Sequence, residues 1–144
     1  MNVIGFRVRA RADLGGANEV VPIVDGRELT DIVHEFEHEH GMEKRAASYG
    51  GLIPSFFKFG PLDRHFLGGL QSAQPRKVPL LGCNCGEWGC WPLMARITLA
   101  GGNVTWSEFE QPYRKERDYR GLGPFMFDAA QYEDALATLN DSGS

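Results

Sequence analysis

Leu93-Met94-Ala95-Arg96-Ile97-Thr98-Leu99-Ala100-Gly101-Gly102-Asn103-Val104-Thr105-Trp106-Ser107-Glu108-Phe109 carries the clearest structural signal in the chain. Leu93, Ala95, Ile97 and Leu99 alternate with Met94, Arg96 and Thr98, the two-residue period of a strand with one buried face. Gly101-Gly102-Asn103 is a strong turn signal, and Val104 to Phe109 again has strand character. The stretch predicts an antiparallel hairpin.

The same patterns extend outward. Val78 to Gly82 reads as a short buried strand. Residues 3 to 11 alternate, with Ile4, Phe6, Val8 and Ala10 on one face and Arg7, Arg9 and Arg11 on the other. After Gly15-Gly16, Val20 to Val24 is a second β-like run, which Pro22 marks as an edge or a strand start. Asp25-Gly26 closes it. Asp25 with Glu28 has the form of a capping box, and Leu29, Ile32, Val33 and Phe36 follow helical spacing up to a stop at Gly41. Asp128 with Gln131 opens a last helix whose buried stripe is Tyr132, Ala135, Leu136 and Leu139. Between 46 and 77, glycines and prolines break any long element, and Phe56, Phe57, Phe59 and Phe66 are expected to pin that stretch to the core. Strands and helices are segregated rather than alternating. The expected fold is α+β: an antiparallel sheet of four to six strands packed against two main helices. Residues 1–140 are expected to form one globular domain, with 141–144 a frayed tail.

Composition bounds the function. The 144 residues are 42% hydrophobic and 24% charged, ordinary for a globular chain. No apolar run reaches the roughly 18 residues of a membrane-spanning helix. The first residues lack a basic region followed by an apolar one, so a cytoplasmic location is expected. A net charge of −4 argues against general nucleic-acid binding, which needs a basic surface.

All three cysteines lie in Cys83-Asn84-Cys85-Gly86-Glu87-Trp88-Gly89-Cys90-Trp91. An odd, clustered count fits a reducing compartment rather than a disulfide framework. Cys83 and Cys85 project to one face of an extended chain, and bending at Gly86 and Gly89 would bring Cys90 towards them. Three thiols at one turn make a soft-ligand site suited to one zinc ion, which wants a fourth ligand. His65 is the best candidate, with water, an Asp or Glu87 as alternatives. Two other readings remain: thiols that simply fill core space, and redox chemistry through a Cys85–Cys90 disulfide. Trp88, beside Glu87, would be a good anchor for a protein partner if exposed, and core if it folds under Trp91.

Leu80-Leu81-Gly82-Cys83-x-Cys85-Gly86-x-x-Gly89-Cys90-Trp91-Pro92-Leu93 resembles the signature of a family of uncharacterised small bacterial proteins. Val104-Thr105-Trp106, Phe109-x-Gln111-Pro112, Gly123-Pro124-Phe125-x-Phe127-Asp128 and Gln131-Tyr132 fit the same pattern. The resemblance covers residues 78 to 139 well and the N-terminal half loosely. It implies a bacterial protein and brings no catalytic residues with it.

His34-Glu35-Phe36-Glu37-His38 matches the zincin pattern of two histidines one helical turn apart with a glutamate as base. The buried stripe centred on Leu29, Ile32, Val33 and Phe36 turns His34 and His38 towards solvent, and no third ligand follows in zincin context. The surrounding Asp31, Glu35, Glu37, Glu39 and Glu43 read as a solvated acidic face, on which the histidine pair would take up metal only adventitiously. Arg7, Arg9 and Arg11 form a basic stripe, read as a solvated face ahead of an anion site. The expected function is non-catalytic binding of another protein through the cysteine turn. The alternative is an enzyme using that site as a zinc hydrolase or thiol redox centre.

Overall fold

The structure is a computed structural model that describes residues 1–41, 49–52, 77–83, 92–111 and 118–141. Strand β1 (Ile4–Arg11) leads through a short 3-10 turn into β2 (Ala17–Val24), and β3 (Arg27–Glu28) runs straight into helix α1 (Leu29–Glu39). After β4 (Tyr49–Gly50) come β5 (Lys77–Cys83), β6 (Leu93–Ala100), β7 (Asn103–Glu110), β8 (Phe125–Asp128) and helix α2 (Ala129–Asp141). The described strands form two antiparallel sheets, β1-β2-β3 and β4-β5-β6-β7-β8. The expected α+β class and its two helices are observed, with the strands divided between two sheets.

The glycine-turned hairpin is β6–β7. Ala100 pairs with Asn103, and Gly101 and Gly102 have φ of 59° and 78°. Two successive positive φ values match the right-handed twist of the flanking strands. A bulge then changes the phase. Arg96 pairs with Ser107 but Met94 with Glu110, so Ala95 faces two residues, and Glu108 sits at φ 55°. Because of this extra residue Phe109 is buried on the same side as Val104 and Trp106. Trp106 lies edge-on to Phe127 at 5.0 Å and donates its indole N–H to the Tyr132 hydroxyl at 3.0 Å. Edge-to-face pairs of this kind contribute about 0.5–1.5 kcal/mol beyond their buried area.

Two isolated bridges connect the sheets. Val20 of β2 pairs with Leu52, just beyond β4, and Asn2, just before β1, pairs with Phe127 of β8. Backbone pairing therefore continues from β2 through β4 to β8 and returns to the start of the chain. Asn2 secures that return. Its amide donates to Asp25 at 2.7 Å, and its side-chain oxygen accepts from the Met126 N–H at 2.9 Å. At Ile4 the free edge of β1 is met by the Gln131 side chain, which accepts from Ile4 N–H and donates to Ile4 C=O. At that residue the edge is satisfied and offers no pairing groups to another strand. One buried cluster draws on both described sheets and both described helices.

Three local expectations change. Asp25 and Glu28 form no capping box: Glu28 precedes α1 without capping it, and Asp25, at φ 52°, accepts from Asn2 and Val3 instead. Asp128 does cap α2 through the Gln131 N–H, but the Gln131 side chain serves β1 rather than reaching back. Pro22 lies inside β2, opposite Phe6. Val20 exchanges both backbone bonds with Leu52, so the residue two along aims its nitrogen to the same side, away from β1. The proline falls between the Leu52 bridge and the β3 pairing, where the missing N–H costs no ladder bond.

Candidate functional site

Arg7, Arg9 and Arg11 project from one face of β1, and acids meet each of them. Arg7 pairs with Glu28 at 2.8 Å. Arg9 bonds Glu19 at 2.8 Å and Glu28 at 2.9 Å. Arg11 bonds Asp13 at 2.6 Å and Glu19 at 2.9 Å. Three arginines alternate with three carboxylates, so the stripe is neutralised from within. This arrangement gives no support to an anion site there.

Glu19 is the centre of that ladder and its one deeply buried member, with a side chain 4% exposed. Burial pushes its carboxyl up, but hydrogen bonds from Arg9, Arg11 and the Gly51 N–H outweigh it and hold the carboxyl below its ordinary value. The Gly51 N–H donates at 3.1 Å, which fastens the 49–52 segment to β2. Gly51 can have no side chain, because a Cβ would lie 2.6 Å from the Val20 carbonyl oxygen.

Two residues back, the same segment is held by neutral groups. Gln111 donates to the Tyr49 hydroxyl at 3.4 Å, Tyr49 donates to the Tyr119 hydroxyl at 3.0 Å, and Tyr119 donates to Glu37 of α1 at 2.6 Å. All the bonds point one way, so each polarises the next. Gln111 and Tyr119 are buried. Burial, then the adjoining Tyr119, pushes the Tyr49 hydroxyl well above its ordinary range. Phe36 stacks between Tyr119 and His40, with ring centroids 6.0 and 4.0 Å away.

This series passes beside the cysteine segment at Tyr49, since Tyr49 pairs with Cys83 and Gly50 with Gly82. Cys83 is the last residue of β5. On the other side β5 pairs with β6, Pro79 opposite Met94 and Leu81 opposite Leu93. Cys85, Glu87, Trp88, Cys90 and His65 lie outside the described residues, as do Phe56, Phe57, Phe59 and Phe66. Among the described residues no group of three or more His, Cys, Asp or Glu is arranged to hold a metal ion.

The zincin-like residues lie as the periodicity requires. Leu29, Val33 and Phe36 are buried, His34 and His38 are exposed, and Glu35 is held by Arg27 at 2.6 Å. No described helix is long and apolar enough to cross a membrane.

Sequence reading missed Glu19, Tyr49, Gln111 and the bond from Tyr119, and it read Glu37 as part of a solvated face where Glu37 accepts from the buried Tyr119. Glu19 had one available signal, an acid directly before the apolar run Val20–Val24. The tyrosine chain joins residues separated by 70 and 82 positions, which no local pattern encodes. No protein-family model, curated protein or solved structure matches the chain.

Proposed function

We propose that this domain works by binding rather than by catalysis, presenting the segment between β5 and β6 to a protein partner. In this reading Cys83, Cys85 and Cys90, with His65 as fourth ligand, hold one structural zinc ion, and Trp88 with Glu87 engages the partner. The supporting observation is the antiparallel pairing of β5 with β6. Neighbouring strands lie about 4.8 Å apart. The segment that leaves the sheet at Cys83 must therefore return beside its own root by Leu93. That reversal is what three sulfurs need to share one ion. β4 pairs with β5 from the other side, which supports a root held by the sheet itself.

Elemental analysis of the purified chain tests the reading. One zinc per chain is expected, lost in Cys83→Ser, Cys85→Ser and Cys90→Ser alike. Its removal by a chelator is expected to lower the melting temperature, because structural zinc couples to folding. A metal-free chain whose melting is indifferent to chelator and to added zinc would sink the proposal.

A further inference from the structure

We propose that His34 and His38 form a two-point binding site for a divalent transition-metal ion on the outer face of α1, separate from the cysteine segment. Residues four apart on a helix are neighbours, with Cβ atoms about 5–6 Å apart. Two imidazoles at that spacing can approach a single ion from the same side. Both side chains are exposed, and among the described residues neither imidazole has a hydrogen-bond or ion-pair partner.

Two of the neighbouring acids are engaged elsewhere. Glu35 is taken by Arg27 and Glu37 by Tyr119. The backbone under the pair is well anchored, since Leu29 and Val33 are fully buried on the opposite face. The two imidazoles are thus carried on a fixed turn, and the second closes on the ion as an intramolecular ligand. Exposed Asp31 and Glu39 flank the pair with negative charge, which favours a cation. Imidazole ligands select zinc, copper or nickel over calcium or magnesium. Two protein ligands leave the remaining coordination positions to water.

Equilibrium dialysis of the full chain against Ni2+ tests this, with the parent compared with His34→Ala, His38→Ala and the double variant. The parent is expected to take up one more ion than the double variant. Each single variant is expected to bind that ion at least about fivefold more weakly, since the remaining imidazole acts alone. Nickel held by the thiols would survive these changes and fall only in the Cys→Ser variants, so the two sites are read separately. Equal uptake by the parent and the double variant, or a single-variant loss of less than about fivefold, would overturn the proposal. Thermal melts run alongside, with His34→Gln and His38→Gln as replacements if an alanine variant unfolds.

Discussion

The short segment from Tyr49 to Leu52 is fastened at its two ends by opposite kinds of chemistry. At Gly51 the fastening is charged: a buried carboxylate, two guanidinium groups and a backbone N–H. At Tyr49 it is neutral: an amide and two phenols in line, with a carboxylate only at the far end. Both join elements remote in sequence, and each has buried polar groups at its centre, Glu19 in one and Gln111 and Tyr119 in the other. They differ in what can undo them. A buried charge is costly once it loses its partner, whereas a neutral hydroxyl removed together with its hydrogen leaves an apolar ring that still packs.

The largest effect is therefore expected at Glu19. Glu19→Gln keeps the shape but leaves Arg9 and Arg11 without their shared counter-charge. A loss of about 3 kcal/mol is expected, at the low end for a broken buried pair because Arg9 is half exposed and partly solvated. Chemical denaturation of the parent and the variant measures it. A loss below about 1 kcal/mol would mean the ladder behaves as an ordinary surface network. Gly51→Ala comes next, at about 2 kcal/mol, from forcing a Cβ against the Val20 backbone. Since the obstacle is a carbonyl rather than a flexible side chain, repacking cannot relieve it.

Tyr119→Phe is expected to cost about 1–1.5 kcal/mol, for two hydrogen bonds lost with the ring retained. The contrast between charged and neutral fastening sharpens with pH. The folded-state carboxyl of Glu19 lies below its ordinary 4.5, so its contribution is present above that value and disappears as the pH falls through the folded value. The folded-state hydroxyl of Tyr49 lies above its ordinary 10.0, so its contribution is complete below pH 10 and declines as the pH rises further. Glu19→Gln should accordingly flatten the acid limb of a stability–pH profile, and Tyr49→Phe should soften the alkaline one. Some alkaline slope should remain, because burial also raises Tyr132. Identical profiles for both variants would erase the distinction.

Legibility in the sequence follows the range over which a residue's role is set. The β6–β7 hairpin, the stripe of α1 and the stripe of α2 depend on neighbours within a turn or a strand pair, and periodicity shows them. The bulge at Glu108 was legible in principle, since Val104 and Trp106 are even positions and Phe109 is odd. Strands β3 and β4 are too short to have a period. The Asp25 and Glu28 pattern misled because tertiary partners, Asn2 and Val3 for one and Arg7 and Arg9 for the other, outbid the helix end. Arg7, Arg9 and Arg11 looked like a basic patch because the acids that neutralise them come from Asp13, Glu19 and Glu28, visible only once β1, β2 and β3 are paired. The cysteine cluster was legible as composition, and its root at Cys83 is placed in the sheet, while Cys85 and Cys90 lie outside the described residues.

The smallest effect is expected at His34 and His38, and it bears on both fastenings by serving as their control. The two histidines share α1 with Glu37, the acceptor at the end of the tyrosine chain, but they are exposed whereas Glu37 is partly buried. Replacing both with alanine removes no described contact and raises helix propensity slightly. Metal-free stability should stay within about 0.5 kcal/mol of the parent, as for ordinary surface substitutions. With nickel present the parent should gain stability that the double variant does not, because an ion bound only by the folded helix shifts the folding equilibrium by mass action. A metal-free loss above about 2 kcal/mol would show that the helix is rotated relative to its buried stripe. In that event the placement of Glu37 against Tyr119 would fail with it.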